Sequence, residues 1–231
     1  SDGQQYQAGA LVSKGKSGLG TRFRAGMFQN QNSSHIGFIS VMASEDLTQV
    51  AFNFTKNIET TGGPKTTETP LLVNLNKGES YILASQGGFG NELIGTLVTS
   101  NKPVIVNTGS ASGSFEESIG GQDYGFDQIV GSDLVGSEYI FIRGNGRDGW
   151  ENVLIIADQD NTEILVNGNL TKKLVMDFLK LLSIPITLNP FFKKAFFLHF
   201  SPCSRFNLKN SNSSLSILCD LIFLFFFSII F

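Results

Sequence analysis

Side chains that could support covalent catalysis are scarce in this chain. His35 is the one histidine before residue 170, in a polar turn at residues 30–35, and both cysteines, Cys203 and Cys219, lie near the end of the sequence. Catalysis by a serine or cysteine nucleophile needs a base within hydrogen-bonding distance. We therefore predict that His35 is a turn residue, that the chain has no catalytic residue, and that the protein is not an enzyme.

Two acidic groups are the next chemical candidates. The turn at residues 158–163 (DQDNTE) offers oxygen ligands at alternate positions, as Ca²⁺ sites do, but it has neither the glycine nor the distal bidentate Glu of an EF-hand loop. Glu116 and Glu117 are adjacent, so in a strand they would point to opposite faces and could not act as a glycosidase pair. We predict that residues 158–163 form a structural turn and that Glu116 and Glu117 lie in a solvated loop. We also predict that the protein has no metal and no cofactor.

One loop has residue types that are common in protein interfaces. Residues 144–150 (GNGRDGW) present Arg147, Asp148 and Trp150, the only tryptophan. Tryptophan and arginine are enriched among residues that dominate binding energy. These three are the candidate ligand-binding residues; the alternative is that Trp150 begins a strand and packs inward.

The elements that would position these residues are short strands. Runs of apolar and β-branched residues alternate with Gly, Asn, Asp and Ser clusters, and helical periodicity is absent. The pattern predicts an all-β fold that is β-sandwich-like, with a barrel or propeller-like arrangement as the alternative. The predicted strands are residues 22–29, 36–43, 49–54, 71–75, 81–84, 94–99, 104–107, 139–143, 153–157 and 163–166.

An internal repeat is visible between residues 39–53 (ISVMASEDLTQVAFN) and 153–167 (VLIIADQDNTEILVN). The alignment pairs Asp46 with Asp160 and Thr48 with Thr162, so each copy has the form strand, acidic turn, strand. We predict an internal duplication of about 115 residues whose second copy is truncated.

Composition changes sharply after residue 169. All 25 glycines lie at or before Gly168, whereas 12 of the 21 phenylalanines lie after residue 169. The first part has ten Lys and Arg against 18 Asp and Glu, a net charge of −8, and the rest has a net charge of +5. The acidic part has no basic stripe, which excludes nucleic acid as a partner. We predict a leader or linker at 1–19, an incomplete β domain at 20–169, and a separate tail at 170–231.

The tail has no resemblance to the missing part of the repeat. Residues 215–231 are apolar, but this segment contains Asp220 and is shorter than the ~20 apolar residues of a spanning helix. We interpret the Phe-rich tail as a non-homologous, frameshifted segment that is disordered or misfolded; a membrane anchor is the alternative. No membrane insertion is expected of the β domain.

Several strings resemble a known family. The clearest is a G-T-x-V-x-S-x-K-P-V-x-V-x-x-G frame at residues 95–109, and others are residues 20–31 (GTRFRAGMFQNQ), 120–131 (GGQDYGFDQIVG) and 136–144 (GSEYIFIRG). Together they resemble the N-terminal domain family of the IgG Fc-binding protein, most closely its bacterial cell-surface members. The resemblance covers residues 20–167.

The resemblance implies an extracellular or cell-surface location and a binding or adhesion module without catalysis. Its partner would be a protein or glycan ligand, such as a glycoprotein, a mucin or an immunoglobulin. Two alternatives remain open. One is a carbohydrate-active enzyme on a β scaffold, and the other is a structural spacer of a large surface protein.

Overall fold

The computed structural model describes residues 11–30, 32–113, 123–142, 152–159, 161–166, 169–174, 184–185, 195–201 and 221–224. These residues form 17 strands and two short 3₁₀ helices, η1 (Gly15–Gly18) and η2 (Ser132–Leu134), with no α-helix among them. The predicted all-β class is confirmed. The main sheet forms a nearly closed barrel, which agrees with the barrel alternative.

The strands are short apart from one. They are β1 (Leu11–Val12), β2 (Gly20–Arg24), β3 (Gly37–Ala43), β4 (Thr48–Asn53), β5 (Ile58–Thr60), β6 (Gly63–Lys65), β7 (Leu71–Leu75), β8 (Ser80–Ala84), β9 (Leu97–Gly113), β10 (Asp123–Ile129), β11 (Glu138–Ile142), β12 (Asn152–Ala157), β13 (Thr162–Val166), β14 (Asn169–Leu174), β15 (Ile184–Pro185), β16 (Ala195–Ser201) and β17 (Leu221–Leu224).

Strand β9, with 17 residues, is the central element of an eight-stranded sheet. Its first part pairs antiparallel with β4 on one side and β2 on the other. Its second part pairs antiparallel with β3 and β10. Strands β7, β8 and β1 then extend the sheet beyond β4, β3 and β10. One strand therefore belongs to both walls of the barrel.

The change of partners occurs at a bend in β9 around Pro103. The register with β2 shifts there, since Arg22 lies opposite Thr99 but Gly20 lies opposite Val104. Proline has no N–H to donate and is tolerated in a strand where pairing is interrupted. The sequence predicts two separate strands here, residues 94–99 and 104–107, which is wrong. The chain continues as one bent strand.

The turn between β3 and β4 is fastened onto this bend. Ser44 Oγ donates to the Pro103 carbonyl at 2.5 Å, and Lys102 Nζ donates to the Asp46 carbonyl at 2.6 Å. The Gln49 N–H donates to Asn101 Oδ1 at 2.7 Å. These contacts give partners to the Pro103 carbonyl at the bend and to the Asp46 carbonyl and Gln49 N–H beside it.

The core lies between the two walls of the barrel. On one wall Val98 lies opposite both Phe23 and Phe52, and all three side chains are fully buried. On the other wall Ile39 and Val106 are fully buried. Inward residues alternate with outward ones along β3 and β4, which is the period expected of strands with one buried face.

Strands β11 to β17 form further sheets. Strand β12 pairs with β15 and β17, and strands β11 and β13 pair with β16, with β14 beside β13. Leu154 and Ile156 of β12 belong to the same buried cluster as the barrel core. No helix among the described residues is long and apolar enough to cross a bilayer. The domain boundary at residue 169 stays a prediction.

Two distant turns have the same local geometry. Leu47, between β3 and β4, has a φ of 56°, and Asn161, between β12 and β13, has a φ of 60°. In each turn the next residue, Thr48 or Thr162, donates its hydroxyl hydrogen to the carbonyl three residues earlier, at 2.7 and 2.8 Å. The local alignment of the repeat therefore has a structural counterpart, and duplication of the whole unit stays a prediction.

Gly109 provides a test of the packing at the centre of the sheet. A Cβ added there would overlap the Gly125 carbonyl oxygen and lie 2.7 Å from Phe38 Cζ, in the space where the Phe38 and Phe126 rings stack with centroids 5.7 Å apart. We expect Gly109→Ala to lower the free energy of unfolding in urea by at least about 2 kcal/mol. Gly136→Ala, where the added Cβ has no atom within 4 Å, is the matched control.

Equal stability of the two variants would contradict this close packing. We expect Gly136→Ala to change the free energy of unfolding by no more than about 0.5 kcal/mol.

Candidate functional site

Three loops meet at one end of the barrel, where β3 begins and β8 ends. They are the turn at residues 32–36, the loop at residues 86–92, and the segment around β5. We call this group of loops the loop end. The Gly88 N–H donates to the Asn32 carbonyl at 3.0 Å, and the Gln86 N–H donates to the Glu59 carbonyl at 2.8 Å. The three loops therefore form one connected surface.

The 86–92 loop lies directly on the neighbouring turn. A Cβ added at Gly87 would overlap the Ser33 carbonyl group, so only glycine permits this approach. Gly88 and Gly90 have φ values of +134° and +75°, which favour glycine. The glycines therefore set the path of the loop.

Asn91 fastens the loop to the β5 segment. Its Oδ1 accepts the Glu59 N–H at 3.0 Å, and its Nδ2 donates to the Glu59 carbonyl at 2.9 Å and to the Gln86 carbonyl at 2.6 Å. One side chain thus uses its acceptor and both amide hydrogens on the backbone. The loop is held at its middle as well as at its ends.

Glu92 is a buried carboxylate that organises the same loop. Its Oε1 accepts the N–H groups of Asn30 and Gly90 at 3.0 and 3.1 Å, and its Oε2 lies 3.0 Å from Lys56 Nζ. Lys56 also donates to the Gly90 carbonyl. Hydrogen bonds to an ionised acceptor are stronger than neutral ones. Glu92 is therefore engaged in holding the loop.

Phe89 lies at the tip of this loop, between the two positive-φ glycines, and 62% of its surface is exposed. An exposed aromatic ring on a rigid loop can enter an apolar pocket of a partner with little ordering of its own. The buried Glu92 is already paired with Lys56, so the loop end offers a partner an apolar contact and not a buried charge. Phe89 is its main apolar contact group.

His35 lies at the loop end but is not exposed. It is buried, its Nε2 is 3.0 Å from Asn32 Nδ2, and its backbone N–H donates to the Asn32 carbonyl at 3.2 Å. The residue occupies a turn, as the sequence analysis predicted.

The acidic turn after β12 contacts two arginines of β2. Arg24 Nε lies 2.7 Å from Asp158 Oδ1, and Arg22 donates through Nε and Nη2 to both carboxylate oxygens, at 3.2 and 3.0 Å. Arginines at positions i and i+2 lie on one face of a strand, here the face that the turn covers. The Asp158 carboxylate is thus bound by guanidinium groups.

A third carboxylate, that of Asp127, connects the first described residues to the barrel. Asp127 Oδ1 lies 2.7 Å from Lys14 Nζ. Beside it, Gln128 Oε1 accepts from Ser13 Oγ and from the N–H groups of Lys14 and Gly15, at 3.0, 2.6 and 3.1 Å. These contacts connect the segment after β1 to β10, more than a hundred residues away in sequence.

Several candidates from the sequence lie outside the described residues. They are Arg147, Asp148, Trp150, Glu116, Glu117 and Asp160. In the part of the chain that the structure describes, no group of three or more His, Cys, Asp or Glu side chains could hold a metal ion. The candidate binding residues of the 144–150 loop stay a prediction.

The sequence patterns do not predict the roles of Phe89, Asn91 and Glu92. The signal that could have found Phe89 is its position between glycines in residues 87–90 (GGFG), where an apolar residue has no strand to join. Asn91 and Glu92 act through partners 32 and 62 residues away, which no local pattern shows.

The Arg24–Asp158 pair gives a first test of this arrangement. Arg24 and Asp158 are both almost fully buried, whereas the Arg22 side chain is 43% exposed. Arg24→Met removes the buried guanidinium and leaves the buried Asp158 carboxylate with only the partly exposed Arg22, so we expect it to lower the free energy of unfolding by about 2–3 kcal/mol. Arg22→Met is the control and should cost about 1 kcal/mol or less.

Urea unfolding of the two variants measures the difference. A cost for Arg22→Met as large as that for Arg24→Met would contradict the assignment of the buried pair.

Asp127 gives a pH-dependent test. Burial raises the pKa of its carboxyl group above the ordinary value of 3.8, and the hydrogen bond and charge of Lys14 oppose this only in part. The folded state then holds the proton more tightly than the unfolded state, so ionisation of this group costs stability. We expect wild type to lose stability relative to Asp127→Asn as pH rises from 3.8 through the raised pKa.

Urea unfolding at a series of pH values measures this difference. Lys14→Met, which removes the opposing charge, should make the loss larger. A wild type that gains stability over Asp127→Asn in that interval would contradict the prediction.

Comparison with known proteins agrees with the resemblance read from the motifs. A family model described as "IgGFc binding protein" matches residues 8–180, which is more than half of the chain and extends past the predicted boundary at residue 169. The comparisons with curated proteins and with solved structures return no match. The frame at residues 95–109 that first suggested the family forms the bend of β9 and its flanks. The chain belongs to the IgGFc-binding protein family.

Proposed function

We propose that this chain is an extracellular binding module without catalytic activity, and that it recognises a protein ligand through the loop end. The family is named for binding of a protein, the Fc part of immunoglobulin G, which supports a protein ligand. A location at the cell surface, adhesion, and a glycan or mucin partner are finer parts of the same proposal. Arg147, Asp148 and Trp150 stay in it as a second set of binding residues.

The observation behind the proposal is the exposure of Phe89 on a loop that is otherwise fully fastened. Large apolar side chains are normally buried, and an exposed one on a rigid support is typical of an interface anchor. Binding residues are often placed on loops that a rigid scaffold positions. The barrel and the contacts of Asn91 and Glu92 provide such a scaffold.

The contacts of the buried carboxylates favour binding over catalysis. Among the described residues, Glu92, Asp127 and Asp158 are buried, and each is engaged by a lysine or arginine and by further hydrogen-bonding groups. A glycosidase needs two carboxyl groups that face a common substrate across a cleft. These three serve instead to connect segments of the fold.

Substitution of the anchor tests the proposal. We expect Phe89→Ala to weaken binding to immobilised IgG Fc fragments or to purified mucin by about 2 kcal/mol, or about 30-fold in Kd. Surface plasmon resonance measures the affinity. The melting temperature should not change, because the Phe89 side chain is largely exposed and adds little to the packing of the fold.

Leu47→Ala is the matched control. Leu47 is 78% exposed and lies in the turn between β3 and β4, at the opposite end of the barrel from Phe89. The Leu47→Ala substitution should leave the affinity for either probe unchanged. Equal affinity of wild type and Phe89→Ala for a bound probe would refute the loop end as the site. Failure of wild type to bind either probe would refute this choice of ligand class.

A further inference from the structure

A second surface lies on the side of the barrel, between β7 and β8. These two strands are joined by a short turn at residues 76–79, yet β7 pairs with β4 and β8 pairs with β3. Among the described residues neither strand pairs along its other edge, apart from contacts of the β5 segment at the end of β8. We call this opening, bounded by Leu71–Leu75 and Ser80–Ala84, the β7–β8 seam.

The backbone of β8 directs hydrogen-bonding groups into the seam. The Ala43 N–H donates to the Glu79 carbonyl and the Ser85 N–H donates to the Gly37 carbonyl, so odd-numbered residues of this region bond to β3. In an antiparallel pair the residues between them point the other way. The N–H and C=O groups of Ser80 and Ile82 therefore point towards the seam.

The next residue of the same set confirms the direction. The Ala84 carbonyl, also on the side away from β3, accepts the Thr61 N–H at 3.0 Å. A strand segment therefore already occupies the continuation of this edge. The edge at Ser80 and Ile82 is geometrically able to accept another.

Most side chains along the seam are apolar. Leu71, Val73 and Tyr81 are partly buried and pack against the core, and the Tyr81 ring lies 6.0 Å from that of Phe52 between centroids. Leu72 and Ile82 are exposed on the outside, Ile82 by 63%. A strand added here would cover apolar surface on both of its faces.

Charge defines what can lie in the seam. Strands β7 (LLVNL) and β8 (SYILA) contain no charged residue, and neither does the adjacent β3 (GFISVMA), although the part of the chain up to residue 169 has a net charge of −8. Natural edge strands are commonly protected by lysine or proline. A charged segment would lose hydration here without gaining an ion pair, so the complementary partner is uncharged.

We infer that the β7–β8 seam accepts an extended, uncharged segment of a protein partner, which pairs with Ser80 and Ile82 of β8 as an added strand. Backbone hydrogen bonds supply the affinity in this mode, and alternate side chains supply the specificity. The inference rests on the proposed function only in that the ligand is a protein, and it does not involve Phe89.

Hydrogen exchange on the full chain tests the inference. The probe is a short, capped peptide of alternating threonine and valine, and its control has alternate backbone amides N-methylated. At a peptide concentration about ten times its dissociation constant, amide exchange at Ser80 and Ile82 should slow about tenfold. The N-methylated peptide should give no protection, because it lacks the donors.

Two charge substitutions on the same exposed face distinguish pairing at the β8 edge from a general effect of charge on that face. Ile82→Lys places a charge at the edge and should abolish protection, whereas Met42→Lys places one on the neighbouring β3 and should leave it intact. Equal loss in both variants, or no protection in wild type, would overturn the inference. Phe89→Ala should leave the protection of Ser80 and Ile82 unchanged, which would show that this site is separate from the loop end. Loss of that protection in Phe89→Ala would also overturn the inference.

Discussion

The bend in β9 determines the architecture of the barrel. A strand that pairs with β2 and β4 must exchange both partners for β3 and β10 within a few residues, and its backbone groups must still find partners. Pro103 provides the break in pairing, and the turn after β3 supplies substitute donors and acceptors. Because β3 and β4 separate at this bend, β7 and β8 separate with them, and the seam between them follows from the same constraint.

Buried charge is used in this fold to connect distant segments. Asp158 connects the turn after β12 to β2, Asp127 connects the segment after β1 to β10, and Glu92 connects two loops through Lys56. Each carboxylate has a cationic partner and hydrogen bonds, as burial of an ion requires. The buried carboxylates of the described residues are therefore all engaged in connecting segments of the fold.

Strands with regular alternation could be predicted from the sequence, and irregular ones could not. The predicted strands at 36–43 and 71–75 agree with the structure to within one residue at either end, because their apolar periodicity reflects one buried face. The strand at 153–157 agrees equally well because it is a continuous apolar run, and its residues 154–157 are buried on both faces. Strand β10 was missed because its residues include Gly125, Asp127 and Gln128, whose roles depend on partners in η1 and the segment before it. Proline at 103 reads locally as a strand boundary, and only the pairing with four neighbours shows otherwise.

The fastening of the 86–92 loop has a consequence for the thermodynamics of association. Fixing the backbone of a mobile residue costs about 1–2 kcal/mol in conformational entropy, so a loose loop would lose much of its contact energy on docking. In this protein the backbone of the loop is already ordered by folding. The order is imposed by the hydrogen bonds of Asn91 and Glu92 and by that from Gly88 to Asn32. The proposed recognition by Phe89 would then resemble the fitting of two rigid bodies, and differences in affinity among ligands would arise mainly in the rate of dissociation.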